Sequence, residues 1–243
     1  DRLTSVGETI STLVCKSEFA HLGYRAATVT NHELGIVTDT KFNNATICQV
    51  EGKDILDKLK YADVVFAPGF QGHAQNGKIT TLGRGGSDLS AVAIGVAIDA
   101  SEVEIYSDVN GIYTADPRIV PDAIKLDYIS YAEMLELSKN GAKVLNHRCV
   151  QLAASHNIAI HARSSFEDCK GTYVIGDDRI MKEHLNQLVI SGITGSQNEA
   201  RITLVQVDAT TQASGVLFER IAEAGVNVNV FNHVLVGAGK MDI

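Results

Sequence analysis

No two cysteines in this chain are spaced as CxxC, and the four present (Cys15, Cys48, Cys149 and Cys169) follow no regular interval. That argues against a zinc ribbon or a disulfide framework and fits a reducing, cytoplasmic setting. Long apolar runs are lacking too. The longest covers residues 91–98, far short of the roughly 18–20 residues a membrane span needs, and no signal-peptide pattern opens the chain. Basic residues are outnumbered, giving a formal net charge of −8, which disfavours nucleic acid as the main partner and favours a small molecule. There is no GxxxxGK[ST] loop, no protein-kinase catalytic-loop set and no HExxH, and the eight histidines show no ligand spacing. We therefore assign no metal ligands from sequence. The first residue is Asp1 rather than Met, inside what reads as a helix, so we expect the sequence to begin within a longer protein.

What is present suffices for two cores: 243 residues, 45% of them hydrophobic, suit a large and a small domain. Leu3, Val6, Ile10, Leu13 and Val14 recur at helical spacing up to Gly23. Strands are expected at 25–29, 45–50, 63–67, 103–106, 158–162 and 172–175, and helices at 53–60, 88–98, 131–137 and 142–155. That alternation predicts an α/β layered fold around a mostly parallel sheet. Residues 176–186 turn charged and aperiodic and read as a linker, dividing the chain into domains 1–176 and 187–243. Beyond it, strands at 188–193, 200–207 and 226–233, a helix at 214–223 and a hairpin at Gly237 and Gly239 suggest a ferredoxin-like α+β sandwich, cut off within its last strand.

The stretch TTLGRGGSDLS, residues 80–90, stands directly ahead of a buried helix. Glycines there let successive N–H groups face an anion, and the helix start adds roughly half a positive charge. Arg84 is suited to grip a carboxylate or phosphate with two parallel hydrogen bonds. Ser87 and Asp88 fall where an N-cap and a first-turn residue belong, and a tight turn through Gly85 and Gly86 with Ser87 or Asp88 merely capping the helix is the ordinary alternative. A second stretch, YSDVNGIYTADPR, follows a strand, where open α/β sheets bind ligands. Ser107 and Asp108 would meet a nucleotide or metal there, Tyr113 offers an aromatic surface and Arg118 a cation. A plain turn explains Asp108, Asn110 and Gly111 as well. Lys143 falls in the first turn of the helix read at 142–155, against the macrodipole, as phosphate contact would explain; a solvated lysine is the ordinary alternative. Glu8, after Gly7, says nothing by itself beyond exposure.

TTLGRGGSD, SDVNGIYTADPR, ISYAEMLEL with GAKVL, and RSSF with a later GT stand in one order that resembles the aspartokinases of the amino-acid kinase family over essentially the whole chain. NEARITL and AEAGVNVNVF resemble the first of the ACT domains that follow the kinase domain and bind regulatory amino acids. The resemblance implies transfer of the γ-phosphate of ATP, with Mg2+, to the β-carboxylate of L-aspartate, as the first step toward lysine, threonine and methionine; a half-built ACT sandwich would expose a sheet edge and an apolar helix face, which predicts a homo-oligomer. It implies that Arg84, Gly85, Gly86, Ser87 and Asp88 bind aspartate, that Glu8 meets its amino group, and that Phe70 lines the pocket. Ser107, Asp108, Tyr113, Thr114, Ala115, Asp116, Pro117, Arg118 and Lys143 match nucleotide-binding positions, and Arg84, Asp88 and Lys143 are the catalytic candidates. The family's KFGGTS segment is missing, so the chain as it stands is expected to be inactive. Ser107 stands for the usual threonine, and Asn146 with His147 for His-Pro. An acetylglutamate or glutamate kinase is the nearest rival, and a non-catalytic amino-acid sensor is the rival from another class.

Overall fold

The structure is a computed structural model that describes residues 1–142, 144–183, 192–195, 201–226, 228 and 231–243. It divides into two compact units, Asp1–Gly195 and Ser196–Ile243. The first unit opens with α1 (Ser5–His21), followed by β1 (Ala26–Thr28), β2 (Ile36–Thr38), β3 (Ile47–Val50), α2 (Lys53–Leu59) and β4 (Val64–Phe66). A hairpin of β5 (Gln71–Ala74) and β6 (Ile79–Thr81) leads into α3 (Gly86–Ala97) and β7 (Glu102–Ser107). Then come β8 (Tyr128–Ser130), α4 (Tyr131–Lys139), α5 (His147–His156), β9 (Ala159–Ser164), β10 (Thr172–Ile175) and α6 (Asp177–Glu183).

Among the described residues these strands form sheets ordered β1-β4, β3-β2-β5-β6 and β7-β9-β10-β8. Parallel pairings lead antiparallel ones, with β1·β4, β2·β5, β7·β9 and β8·β10 against β2·β3, β5·β6 and β9·β10. This is the α/β fold expected from the alternating pattern. The main core gathers Leu82, Val92, Ile129, Met134, Val150, Ile160 and Val174 between the third sheet and α3, α4 and α5. Burial of such side chains contributes about 1.5–3 kcal/mol each.

Local chemistry sets the helix boundaries. Ser130 and Glu133 form a reciprocal capping box at the start of α4. The Asn146 side chain accepts the Arg148 N–H at 2.9 Å, so α5 begins at His147 and not at residue 142. Lys143 lies outside the described residues.

The structure differs from the sequence pattern in three places. The apolar stripe of α1 is not its core face: Val6, Ile10, Leu13 and Val14 are exposed, while Ser5 and Thr12 are buried and Glu8 is half-buried. Ser5 O lies 3.5 Å from Gln71 Nε2, and Phe19 packs edge-on against Phe66 at 5.0 Å, so contacts with β5 and β4 turn the polar face inward. The supposed linker opens with α6, whose Asp177 and Asp178 suit a helix N-terminus and whose Ile180 is buried with Ala159 and Ile175. Strands β2, β5, β6 and β8, each of three or four residues, were not anticipated.

The second unit comprises β11 (Val207–Asp208), α7 (Thr211–Glu223), β12 (Val234–Gly237) and β13 (Lys240–Asp242), with antiparallel sheet order β11-β13-β12. The expected hairpin is present, turning at Ala238 and Gly239 with positive φ. The strand read at 226–233 is not seen at its described residues, and most of that read at 188–193 lies outside the described residues.

Candidate active site

Two left-handed backbone positions build the loop ahead of α3. Gly83 has φ +75° and Gly85, the N-cap of the helix, φ +70°. Glycine is required at Gly85 for space as well, since a Cβ there would stand 2.3 Å from Asn146 Nδ2. That amide donates to Arg84 O at 2.9 Å, and Arg148 donates to Leu82 O. The start of α5 thus holds the main chain of the loop and leaves the Arg84 side chain exposed.

Phe70 is a non-glycine residue at φ +67°, a conformation that costs about 1–3 kcal/mol and persists only where its surroundings over-determine it. They do so here. Its N–H donates to Ser90 Oγ at 3.1 Å, its carbonyl accepts the Leu82 N–H at 2.9 Å, and Ser90 Oγ donates to Ser87 O at 2.8 Å. A Cβ on Gly86 would stand 3.0 Å from Phe70 Cδ2, so the phenyl ring lies against the helix start. Phe70, Arg84, Gly85, Gly86 and Ser87 are therefore brought together.

Asp88 turns toward α5. Burial raises its carboxyl above the ordinary range, partly offset by a hydrogen bond from the Asn146 backbone. Its neighbour Cys149 is pushed up to about 12, first by burial and then by the Asp88 charge, and stays a neutral thiol. A carboxyl whose folded pKa is raised favours folding below its unfolded value of about 3.9 and loses that contribution as pH rises through the folded value. Asp88→Asn is therefore expected to raise the urea midpoint at pH 7, the gap to the parent closing as pH falls below about 4. An unchanged gap across that range would mean that Asp88 carries no burial cost.

The second cluster caps β7. Ser107 Oγ accepts the Val109 N–H at 3.4 Å, and Ser107 O accepts from Ser165. Tyr113 bridges to Lys125, Thr114 Oγ1 accepts the Ile124 N–H at 3.0 Å, and half-buried Ala115 leads to Asp116 and Pro117. Arg118 does not stand free as a phosphate cation. Its guanidinium makes two hydrogen bonds to Asp116, at 3.0 and 2.7 Å, which raise its pKa, with exposed Asp108 adding a smaller pull. A nucleotide would have to share or displace Asp116. The Gly95 Cβ position faces Val103, so α3 runs back along β7, and the helix start and the strand's C-terminal end share one edge of the sheet. Ser5 and Thr12 mark the inward face of α1, on which Glu8 also lies. The sequence reading missed Asn146, Arg148 and Ser90 as supports; the signal for Asn146 was its type, an N-cap residue ahead of a periodic helix.

The amino acid kinase family matches residues 1–164. An aspartokinase of Mycolicibacterium smegmatis is 41% identical over 246 residues, covering 100% of this chain and 58% of the relative, so the chain spans less than two-thirds of that protein. Escherichia coli aspartokinase III in complex with aspartate and ADP, in its R-state, superposes with a TM-score of 0.72 at 25% identity, over 99% of this chain and 53% of that one. The same enzyme with lysine and aspartate, in its T-state, gives a TM-score of 0.71 at 26% identity over 100% and 54%.

Proposed function

Because the chain belongs to the amino acid kinase family, we propose that it carries the aspartate- and nucleotide-binding part of an aspartokinase, which transfers the γ-phosphate of ATP to the side-chain carboxylate of L-aspartate. The observation that carries this reading is the left-handed Gly85 start of α3, roofed by Phe70 and bearing exposed Arg84, on the edge where β7 ends. In this reading Arg84 binds the α-carboxylate through paired hydrogen bonds, the N–H groups from Gly85 to Asp88 add positive potential, and Glu8 takes the amino group. Ser107, Asp108, the segment from Tyr113 to Arg118 and Lys143 face the nucleotide. The half-buried Asp88 sits behind the loop, against Asn146, and holds its shape rather than reaching the substrate.

The reaction is an in-line displacement. One carboxylate oxygen forms the bond to the γ-phosphorus, the bridging P–O bond breaks, and its electron pair leaves with ADP. The attacking carboxylate is already ionised at neutral pH, so no general base is needed, and catalysis rests on positioning and charge. Mg2+, riding on the phosphates, would offset their charge. Asp108, exposed at the end of β7, is the carboxylate of this edge suited to such an ion.

The second unit is read as part of a regulatory ACT domain for an amino acid, supported by the lysine complex of the E. coli relative and by its sheet-and-helix composition. Assembly into homo-oligomers in the cytoplasm belongs to the same reading. Among the described residues no helix is long and apolar enough to cross a membrane.

Substrate-dependent ADP release by the intact protein tests the proposal. Release is expected with aspartate, and at least about 100-fold less with glutamate or N-acetylglutamate, which the site would hold with groups left unpaired. Aspartate binding without ADP release would identify a sensor instead.

A further inference from the structure

Away from the edge that carries the two clusters, β7 and β9 pair in parallel with Glu104 opposite His161 and Tyr106 opposite Arg163. Alternate residues of a strand share a face, so Glu102 and Glu104 lie side by side next to His161. His161 is only 5% exposed, and its ring is clamped by stacking on Tyr173, with centroids 3.8 Å apart and planes 15° from parallel. Its Nε2 lies 2.7 Å from Lys170 O. A carbonyl only accepts, so Nε2 carries a proton, and in the neutral ring, the form that binds metal, Nδ1 then presents its lone pair. That Nδ1 is buried and has no hydrogen-bond partner, a condition that in general costs about 1–3 kcal/mol.

What Nδ1 faces is acidic. Glu104 Oε1 lies 3.4 Å away, long for a charged N–H···O bond, and ligand atoms of Glu102, Glu104 and His161 all lie within 4.8 Å of one another. Two ligands at about 2.1 Å from a tetrahedral ion stand about 3.4 Å apart. The outer partners suit the same role. The Lys170 carbonyl orients the imidazole, and the second carboxylate oxygen of Glu104, Oε2, accepts from the Tyr106 hydroxyl at 2.9 Å.

From this geometry we propose that Glu102, Glu104 and His161 bind one divalent transition-metal ion of the zinc type, the fourth position being left to water. One imidazole with two carboxylates selects zinc, cobalt or nickel over magnesium and calcium, which prefer all-oxygen shells. Arg163 is the competing cation, since it donates to the same Glu104 oxygen and also lies 3.8 Å from Asp168. The site shares no residue with the kinase clusters and does not rest on that reading.

The test is a Co2+ titration of the chelator-treated full chain, followed by visible absorption, with Zn2+ displacement by calorimetry. One equivalent is expected to bind with the intense bands of four-coordinate cobalt. His161→Phe, which keeps the ring stack, and Glu102→Gln are each expected to weaken binding by more than about 100-fold, the upper end of what losing an outer partner costs. Arg163→Gln is expected to bind at least as tightly as the parent. Should the Phe variant misfold by circular dichroism, the variant at half-buried Glu102, Glu102→Gln, decides. The site is refuted if the parent chain takes up no stoichiometric Co2+ or Zn2+. It is equally refuted if folded Glu102→Gln binds like the parent, which would put the ion elsewhere, for instance at the adjacent His32 and His73, whose ring centroids lie 4.8 Å apart.

Discussion

Arg84→Ala in the intact protein is expected to lower kcat/KM for aspartate by about 100- to 1,000-fold, the cost of removing one partner of a charged, doubly hydrogen-bonded pair. The thermal midpoint should not move. The Arg84 side chain is exposed, and what the loop uses of this residue is its carbonyl, which accepts from Asn146. Arg84→Lys restores a point charge without the planar fork and should recover only part of the loss. Steady-state kinetics in ATP and aspartate, with calorimetric aspartate binding, separate the possibilities. An unaltered aspartate affinity in a folded Ala variant would mean that the loop holds something other than the α-carboxylate. An effect confined to the KM for ATP would move Arg84 to the nucleotide.

Gly85→Ala is expected to destabilise the first unit by about 1.5–4 kcal/mol in urea unfolding and to abolish turnover. Part of that cost is the left-handed backbone, about 1–2 kcal/mol for a residue with a Cβ. The rest comes from Asn146, whose amide the new methyl would strike and which caps α5; losing such a cap costs about 0.5–2 kcal/mol. The two contributions can be separated. Asn146→Gly empties the space and itself costs only a few tenths of a kcal/mol as a cap, so in that background Gly85→Ala should cost only the backbone share. Equal costs in both backgrounds would show that the contact with Asn146 plays no part.

Both experiments probe one device: the loop ahead of α3, proposed above to bind aspartate, whose shape is imposed from behind by the start of another helix. This bears on how much could be read from the chain alone. TTLGRGGSD announced a glycine-built helix start with an arginine, and the structure has it. The alternation of strands and helices announced an α/β fold, and the long periodic elements α3, α4, β7, β9 and β10 lie within a few residues of where they were read. Asn76 and Gly77 are a hairpin signal that went unused, and the β5–β6 turn sits there.

Other features could not have been read locally. The apolar stripe of α1 is a sound period-3.6 pattern, yet the structure exposes it and turns Ser5 and Thr12 inward. Periodicity reports that a face is apolar and says nothing of which neighbour meets it. The Asp116 clasp on Arg118, the left-handed Phe70 held by Ser90 and Leu82, and the bare Nδ1 of His161 over Glu104 likewise depend on side-chain placement. The last two join residues 12 to 20 and 57 positions apart in the chain.

Sequence by itself determined the types of the long periodic elements, the family and the residue types of the glycine-built loop ahead of α3, because these depend on local propensity, spacing and the conformational freedom of glycine. Tertiary structure alone decided which cations are free and which are paired, which face of α1 is covered, and which carboxyl is buried. Pairing and burial are set by neighbours distant in the chain, and desolvation acts only once those neighbours have closed around the group.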